Sequence, residues 1–260
     1  MPSHQPAGHF SIATWNIHKG FSHFNRRLMV HELRDRLRAL HADIVFLQEV
    51  QGLHLKHAER HAHWPAEPQH EFLAAEVWPS HAYGRNVVYD HGHHGNAILS
   101  RFPIVHQHNQ DITHLRFERR GLLHCRIALP QLTQPLHCVC AHLSLFGHSR
   151  RRQLNELADY LETVTPPDAP LLIAGDFNDW RDHASGILAE RLGLREVFTA
   201  AVPHGQATRP LRSFPAALPL LRLDRIYLRG LAVRAAQRHS GAPWSRISDH
   251  AALSAILHIA

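Results

Sequence analysis

At 260 residues, 44% of them hydrophobic and 19% charged, the chain is too apolar to remain disordered and long enough to bury a large core. One domain over residues 1–260, with residues 1–8 as a flexible start, is the expectation. The formal charge of +6, before any of the 27 histidines is protonated, suits a polyanionic partner and makes the surface more cationic as the medium acidifies. No secretory leader and no run of membrane-spanning length is found, so a cytoplasmic protein without stable membrane insertion, acting as a monomer, is expected.

Phe10 to Trp15 is a short apolar, β-prone run that opens into the polar loop Asn16-Ile17-His18-Lys19-Gly20. Val30, Leu33, Leu37 and Leu40 recur at helical spacing and predict a helix within Arg27 to Leu40. Ile44 to Leu47 is a buried strand that delivers Gln48 and Glu49 at its end. Between Val50 and His94 the pattern loses its period and yields only helix and loop, and Gly95 to Ser100 resumes as strand. Leu123, Cys125, Ile127 and Leu129 alternate with His124, Arg126 and Ala128, which predicts one half-buried strand with Leu136 to His142 as its antiparallel neighbour. Leu154, Leu157, Ala158 and Leu161 mark one face of a helix over Arg151 to Leu161, stopped by Pro166-Pro167. Leu171 to Ala174 is a further buried strand. Thr199 to Leu221, rich in proline and without period, reads as a long surface loop, and Leu223 to Leu228 and Ala251 to Ile259 as two closing strands. Cys125, Cys138 and Cys140 are odd in number and lie in or beside apolar runs, so they read as buried thiols.

Polar residues stand repeatedly at the ends of these strands: Asn16, Glu49, His142, Asp176 with Asn178, Asp224, and Asp249 with His250. Singly, each is as well explained as a turn former or helix cap. Together they are the parts that phosphoryl transfer requires, a reaction catalysed mainly by positioning a water and neutralising charge on phosphoryl oxygens. Asn16, Glu49 and Asp249 offer hard oxygen ligands suited to Mg²⁺ or Mn²⁺. Asp176 can orient or deprotonate the attacking water, with Asn178 two residues on. His142 and His250 are donors to phosphate oxygens, and Asp224 can hold an imidazole in one tautomer. Arg120 can add a charge-assisted contact to phosphate, or be a plain surface arginine.

These residues also carry a resemblance. Thr14-Trp15-Asn16, Leu47-Gln48-Glu49, Gly95-Asn96-Ala97-Ile98-Leu99-Ser100, Gly175-Asp176-Phe177-Asn178, Leu223-Asp224-Arg225-Ile226 and Ser248-Asp249-His250 follow one another in this order. The set resembles the endonuclease/exonuclease/phosphatase superfamily, in particular its small stand-alone bacterial members, and spans nearly the whole chain. The resemblance implies an α/β, four-layer α/β/β/α sandwich of two packed mixed sheets, deoxyribonuclease-like, with the site at one end of the sheets. It implies metal ligation at Asn16, Glu49 and Asp249, management of the nucleophile at Asp176 and Asn178, and phosphate contacts at His142, His250 and Arg120. Asp224 pairs with His250, Asn96 belongs to the substrate-binding set, and either Asp176 or His250 is the general base. The activity expected is metal-dependent phosphodiester hydrolysis, with DNA as substrate; a phospholipid or sphingomyelin phosphodiesterase, or a small phosphate-ester phosphatase, is the alternative on the same site.

Two other clusters stand out. His54, His57 and His61 lie at helical spacing and His91, His93 and His94 crowd before Gly95, but no cysteine or carboxylate partners follow at the spacing of a zinc site. Arg150-Arg151-Arg152 reads as a solvated first helical turn ahead of a nucleic-acid contact. Phe21, Phe24 and Phe214 to Leu221 are the segments available for docking on a membrane surface.

Overall fold

The computed structural model describes residues 8–201 and 211–259. In chain order it comprises β1 (His9–Asn16), α1 (Val30–Ala39), β2 (Ile44–His54), α2 (Leu55–Arg60), α3 (Gln69–Ala74), β3 (Ser80–Tyr89), β4 (Gly92–Ser100), β5 (Ile104–Asp111), β6 (Gly121–Ile127) and β7 (Leu136–His142). There follow α4 (Gly147–Val164), β8 (Leu171–Asp176), α5 (His183–Leu192), β9 (Arg195–Glu196), α6 (Val197–Ala200), β10 (Asp224–Arg229), β11 (Leu231–His239) and β12 (Ala252–Ile259). The strands make two six-stranded sheets, ordered β11-β12-β1-β2-β4-β3 and β5-β6-β7-β8-β10-β9. Each sheet is mixed and contains one parallel pair, β1 with β2 and β7 with β8. A parallel pair needs a crossover, which α1 and α4 supply, and each crossover helix then covers the outer face of its own sheet.

The layering follows from the period of two along the strands. Phe10 and Ile12 of β1, Ile44 and Phe46 of β2, Cys138 and Cys140 of β7, Leu172 and Ala174 of β8, and Leu253, Ala255 and Leu257 of β12 meet between the sheets. Their neighbours in sequence point outward. Ala13, Trp15, Val45 and Leu47 pack under Val30, Leu33 and Leu37 of α1 and Phe72 and Leu73 of α3, while Val139, Ala141, Leu171 and Ile173 pack under Leu154, Leu157 and Leu161 of α4 and Leu188 and Leu192 of α5. The result is the expected α/β/β/α sandwich.

Several local expectations are corrected. The span from Val50 to His94 is not only helix and loop: it contains the end of β2, all of β3 and the start of β4. The strands β3, β5 and β11 all lie on or beside sheet edges, and β5 exposes most of its residues, so neither alternates cleanly enough to be read from hydropathy. The strand at Leu123 runs from Gly121 to Ile127 and is covered on both faces. His124 is only 3% exposed, with Nε2 3.0 Å from His137 Nδ1 and Nδ1 2.9 Å from the Tyr160 hydroxyl of α4. Helix α4 begins at Gly147, four residues earlier than the hydrophobic face suggests. In the expected loop from Thr199 to Leu221, residues 202–210 lie outside the described residues. The part from 211 onward is anchored by buried Ser213 and by a bridge between Phe214 and Leu221. Cys125, Cys138 and Cys140 are free and buried, as expected.

Candidate functional site at the end of the two sheets

The parity that builds the inter-sheet core also builds the site. Asn16 continues the face of Phe10 and Ile12, Asn96 that of Ile98, His142 that of Cys138 and Cys140, Asp176 that of Leu172 and Ala174, and Asp224 that of Ile226 and Leu228. Where the apolar layer stops, these polar side chains are the next ones facing the gap between the sheets. Register aligns them further: His142 and Asp224 are the residues paired with Asp176 on the two strands flanking β8. Gly175 makes that alignment possible, since its φ is +148° and a Cβ there would meet the Ala141 carbonyl oxygen at 1.9 Å.

Asp176, 2% exposed, is the hub. Its Oδ2 accepts from Asn16 Nδ2 at 3.1 Å and stands 3.6 Å from His142 Nε2 and 3.7 Å from His250 Nε2. Its Oδ1 accepts from the Asn178 backbone N–H at 2.9 Å, and Asn178, at φ +50°, donates its side-chain amide to the Leu143 carbonyl at 3.0 Å. His250 Nδ1 lies 2.9 Å from Asp224 Oδ2. Its ring is backed by Phe214 at 4.9 Å, and its carbonyl accepts from the Trp15 indole at 2.8 Å. Ser248 ties the late loop to the early strand by donating to the Asn16 carbonyl at 2.7 Å.

Burial and neighbouring charge set the protonation pattern. Burial opposes a charge on His250, but the carboxylates of Asp224 and Asp176 outweigh it and raise its pKa, so the imidazole is cationic at neutral pH. Burial raises the Asp176 carboxyl above its usual range against the pull of His250. His142 moves the other way, pushed well below its ordinary value by burial and by the nearby charges of Arg120 and His250, and is neutral.

On the far side of Asn16, whose Nδ2 is also 3.3 Å from Glu49 Oε1, stand the carboxylates of Glu49 and Asp249. Glu49 sits at φ +57° with Lys19 Nζ 3.8 Å from its Oε2. Asp249 has His18 Nδ1 at 3.3 Å and His23 Nδ1 at 3.7 Å. Burial would raise the Asp249 carboxyl, but the His18 contact and the charge of His250 hold it at about 2, while His18 is raised mainly through its bond to Asp249. The oxygen donors of Asn16, Glu49 and Asp249 fit a hard divalent cation, with Asp249 Oδ1 3.3 Å from His18 Nδ1 and its Oδ2 no closer than 3.7 Å to His23 Nδ1. Asp176, Asp224 and His250 also place three donor atoms within 4.8 Å of one another. A cationic imidazole committed to Asp224 has no lone pair to give, however, so that group is an ion-paired relay and the oxygen set is the better cradle.

Two expected substrate contacts are already engaged. Asn96, 1% exposed, donates its amide to the Gly121 and Cys140 carbonyls at 3.0 and 3.3 Å, bracing one sheet against the other. Arg120 bonds the Leu143 carbonyl through Nε at 3.3 Å and Glu118 through a terminal nitrogen at 3.1 Å. Glu118 in turn accepts from the Ser144 hydroxyl and from the Leu145 N–H. The reading of Arg150 as solvated is corrected: it is buried, bonds the Ser144 and Leu145 carbonyls at 3.0 and 3.1 Å, and lies 4.9 Å over the Trp180 ring. Arg151 and Arg152 are exposed as expected. His54, His57 and His61 form an aromatic cluster with Phe21 and Trp64. Sequence reasoning missed His18, Lys19 and His23 beside the acids, and Ser213 and Phe214 behind Asp224 and His250. The position of His18-Lys19 two residues beyond Asn16, in the same polar loop, was the available signal.

A carboxylate and imidazole cluster closing one end of two packed mixed sheets defines a deoxyribonuclease-like α/β sandwich of the phosphoesterase class. The chain belongs to the Endonuclease/Exonuclease/phosphatase family, whose sequence pattern it matches over residues 13–250. Members of this family are generally hydrolases of phosphoester bonds and typically depend on a divalent metal. Over 259 residues, 100% of both chains, it is 47% identical to the Escherichia coli K12 protein YbhP. Its fold superposes on an endonuclease/exonuclease/phosphatase of Beutenbergia cavernae with a TM-score of 0.73 at 18% identity, covering 97% of this chain and 72% of the other. It also superposes on D. rerio TDP2 complexed with a single-strand DNA product, with a TM-score of 0.67 at 19% identity, covering 96% and 99% of the two chains.

Proposed function

We propose that the protein is a divalent-metal-dependent phosphodiesterase that hydrolyses DNA, as a monomer in the cytoplasm. The observation that carries this reading is the convergence on Asp176 of Asn16, His142 and His250, from both sheets, beside the oxygen donors of Glu49 and Asp249. The basic balance of the chain and the DNA product seen with the TDP2 relative support DNA as the substrate.

Asn16, Glu49 and Asp249 would hold Mg²⁺ or Mn²⁺, which supplies Lewis-acid neutralisation of the phosphoryl oxygens. The remaining chemistry belongs to the chain. His250, flanked by two buried carboxylates, is cationic and so donates Nε2–H to a phosphoryl oxygen and cannot serve as base. Asp224 holds its Nδ1–H and fixes the ring. Asp176, with a raised pKa and its lone pairs facing the same space, takes a proton from the attacking water. The water oxygen bonds to phosphorus, the P–O ester bond breaks, the leaving oxygen takes a proton from solvent, and Asp176 releases to solvent the proton it accepted, which restores the starting state. Asn178 orients the Asp176 carboxylate, neutral His142 donates to phosphate, and Arg120 adds charge at its edge, with Asn96 keeping the two sheets in register. Incubation of the protein with labelled single- and double-stranded DNA and each divalent ion tests the reading, and intact DNA in every case refutes it.

One observation favours a second substrate, a phospholipid or sphingolipid diester. Phe117, Leu145 and Phe146, 77%, 57% and 52% exposed, and Leu218 and Leu220, 68% and 55% exposed, lie on loops that also carry Glu118, Ser144 and Phe214. Such a rim suits an acyl interface better than water. Hydrolysis of vesicle phospholipid with DNA left intact selects this reading; failure to bind liposomes removes it.

A further inference from the structure

On the outer face of the first sheet, away from the site just described, the start of α3 lies over β3. His81 and Tyr83 are two residues apart on β3 and therefore point to the same side, and His70 of α3 sits above both. The His70 ring stacks on Tyr83 at 4.6 Å with an interplanar angle of 8° and meets the His81 ring edge-on at 5.6 Å. His70 Nε2 is 3.8 Å from Glu71 Oε1, and one donor atom from each of His70, Glu71 and His81 falls within 4.8 Å of the other two.

We infer that His70, Glu71 and His81 form a second metal site, selective for a transition ion of the Zn²⁺ class and separate from the oxygen-lined cradle of the active site. Two imidazoles with one carboxylate prefer Zn²⁺, Ni²⁺ or Cu²⁺ over Mg²⁺, which takes oxygen and water. The ring of His70 is held by the Tyr83 stack, and its Nε2 faces Glu71 Oε1 at 3.8 Å without a hydrogen bond, so with the proton on the buried Nδ1 the Nε2 lone pair is available for coordination. Tyr83 is held in turn by its hydroxyl, 3.0 Å from His93 Nδ1. Donor atoms around tetrahedral zinc are about 3.4 Å apart, so the group must contract by roughly 1 Å. Glu71, with its side chain 49% exposed, and exposed His81 can both rotate to do so. Three protein ligands leave one position for water.

The site is mechanically tied to the active-site loop. Gln69, next to His70, accepts from the Gln51 N–H at 2.9 Å and donates to the Lys19 carbonyl at 2.9 Å, and Lys19 faces Glu49. An ion that clamps the first turn of α3 to β3 therefore also stiffens the support under that loop.

The test is Zn²⁺ binding by equilibrium dialysis on the full chain, comparing wild type with His81→Ala and Glu71→Gln, both exposed positions. Loss of an outer-shell partner of a metal ligand already weakens affinity about 10–100-fold, so loss of a direct ligand should remove one zinc equivalent in each variant. Cobalt substitution should give the visible bands of a nitrogen- and oxygen-ligated ion in wild type and lose them in His81→Ala. Unchanged zinc stoichiometry and affinity in both variants overturns the inference, whatever the outcome of the DNA and vesicle assays.

Discussion

Acidification from pH 6.5 to 5.0 should destabilise this protein far more than its surface charge implies. Burial pushes His124 down to about 3 and His70 and His94 down to about 4. Below pH 6.5 the unfolded chain takes up protons that the folded chain refuses at these positions. Their contribution to stability is therefore complete above 6.5 and is lost as the pH falls, at about 1.4 kcal/mol per unit for each group. Over the interval each histidine costs about 2 kcal/mol. His142, lowered by burial, acts in the same direction. Groups with raised values work oppositely: the contributions of His250 and His18 are already complete below 6.5 and stay flat, while Asp176, raised by burial, returns part of the loss. Asp249, held at about 2, matters only at still lower pH. A net loss of about 4–6 kcal/mol is expected, a large share of the roughly 5–15 kcal/mol that stabilises a typical domain. Urea unfolding at pH 7.5, 6.5, 5.5 and 5.0 measures it directly. His124→Gln should lower the plateau through its lost bonds and remove about one proton from the slope. A free energy that stays level from pH 6.5 to 5.0 would refute the reasoning.

Three further outcomes follow from the site. Asp176→Asn and His250→Ala should each reduce phosphodiester turnover by about 10²–10⁴-fold with a melting curve still cooperative, and unchanged activity in either removes that residue from the mechanism. Asp224→Asn keeps the hydrogen-bonding shape beside His250 Nδ1 but removes a buried charge; kcat should fall at least about 10²-fold with KM little changed, whereas equal rates would make Asp224 purely structural. Gly175→Ala forces a Cβ onto the Ala141 carbonyl and should cost about 1–3 kcal/mol in urea unfolding, while Gly186→Ala, with open space around it, serves as the control and should not destabilise.

Much of the architecture was legible because the central strands are written as local patterns. Ile44 to Leu47, Leu136 to His142 and Leu171 to Ala174 are apolar runs of strand length, and the helix faces at Val30-Leu33-Leu37 and Leu154-Leu157-Leu161 repeat at 3.6 residues. Asn16, His142 and Asp176 were visible for the same reason, as polar residues at the far ends of apolar runs, and Asp224 as a polar residue at the start of one. The edge strands were not legible, since β5 and β11 are held by backbone bonds to partners already in place and need no apolar alternation of their own.

What the linear chain determined by itself is the set of chemical groups and the face of each strand on which they fall, because both depend only on residue type and a two-residue period. What the tertiary structure decided is the electrical state of those groups. Burial beneath Tyr160 and beside His137 keeps His124 neutral, flanking carboxylates from two other strands keep His250 charged, and the packing of Arg150 against Trp180 and Asp179 takes a residue of a surface-looking basic triplet out of solvent. Desolvation and Coulomb interactions act through space between residues far apart in sequence, so they exist only once the sheets have closed on each other.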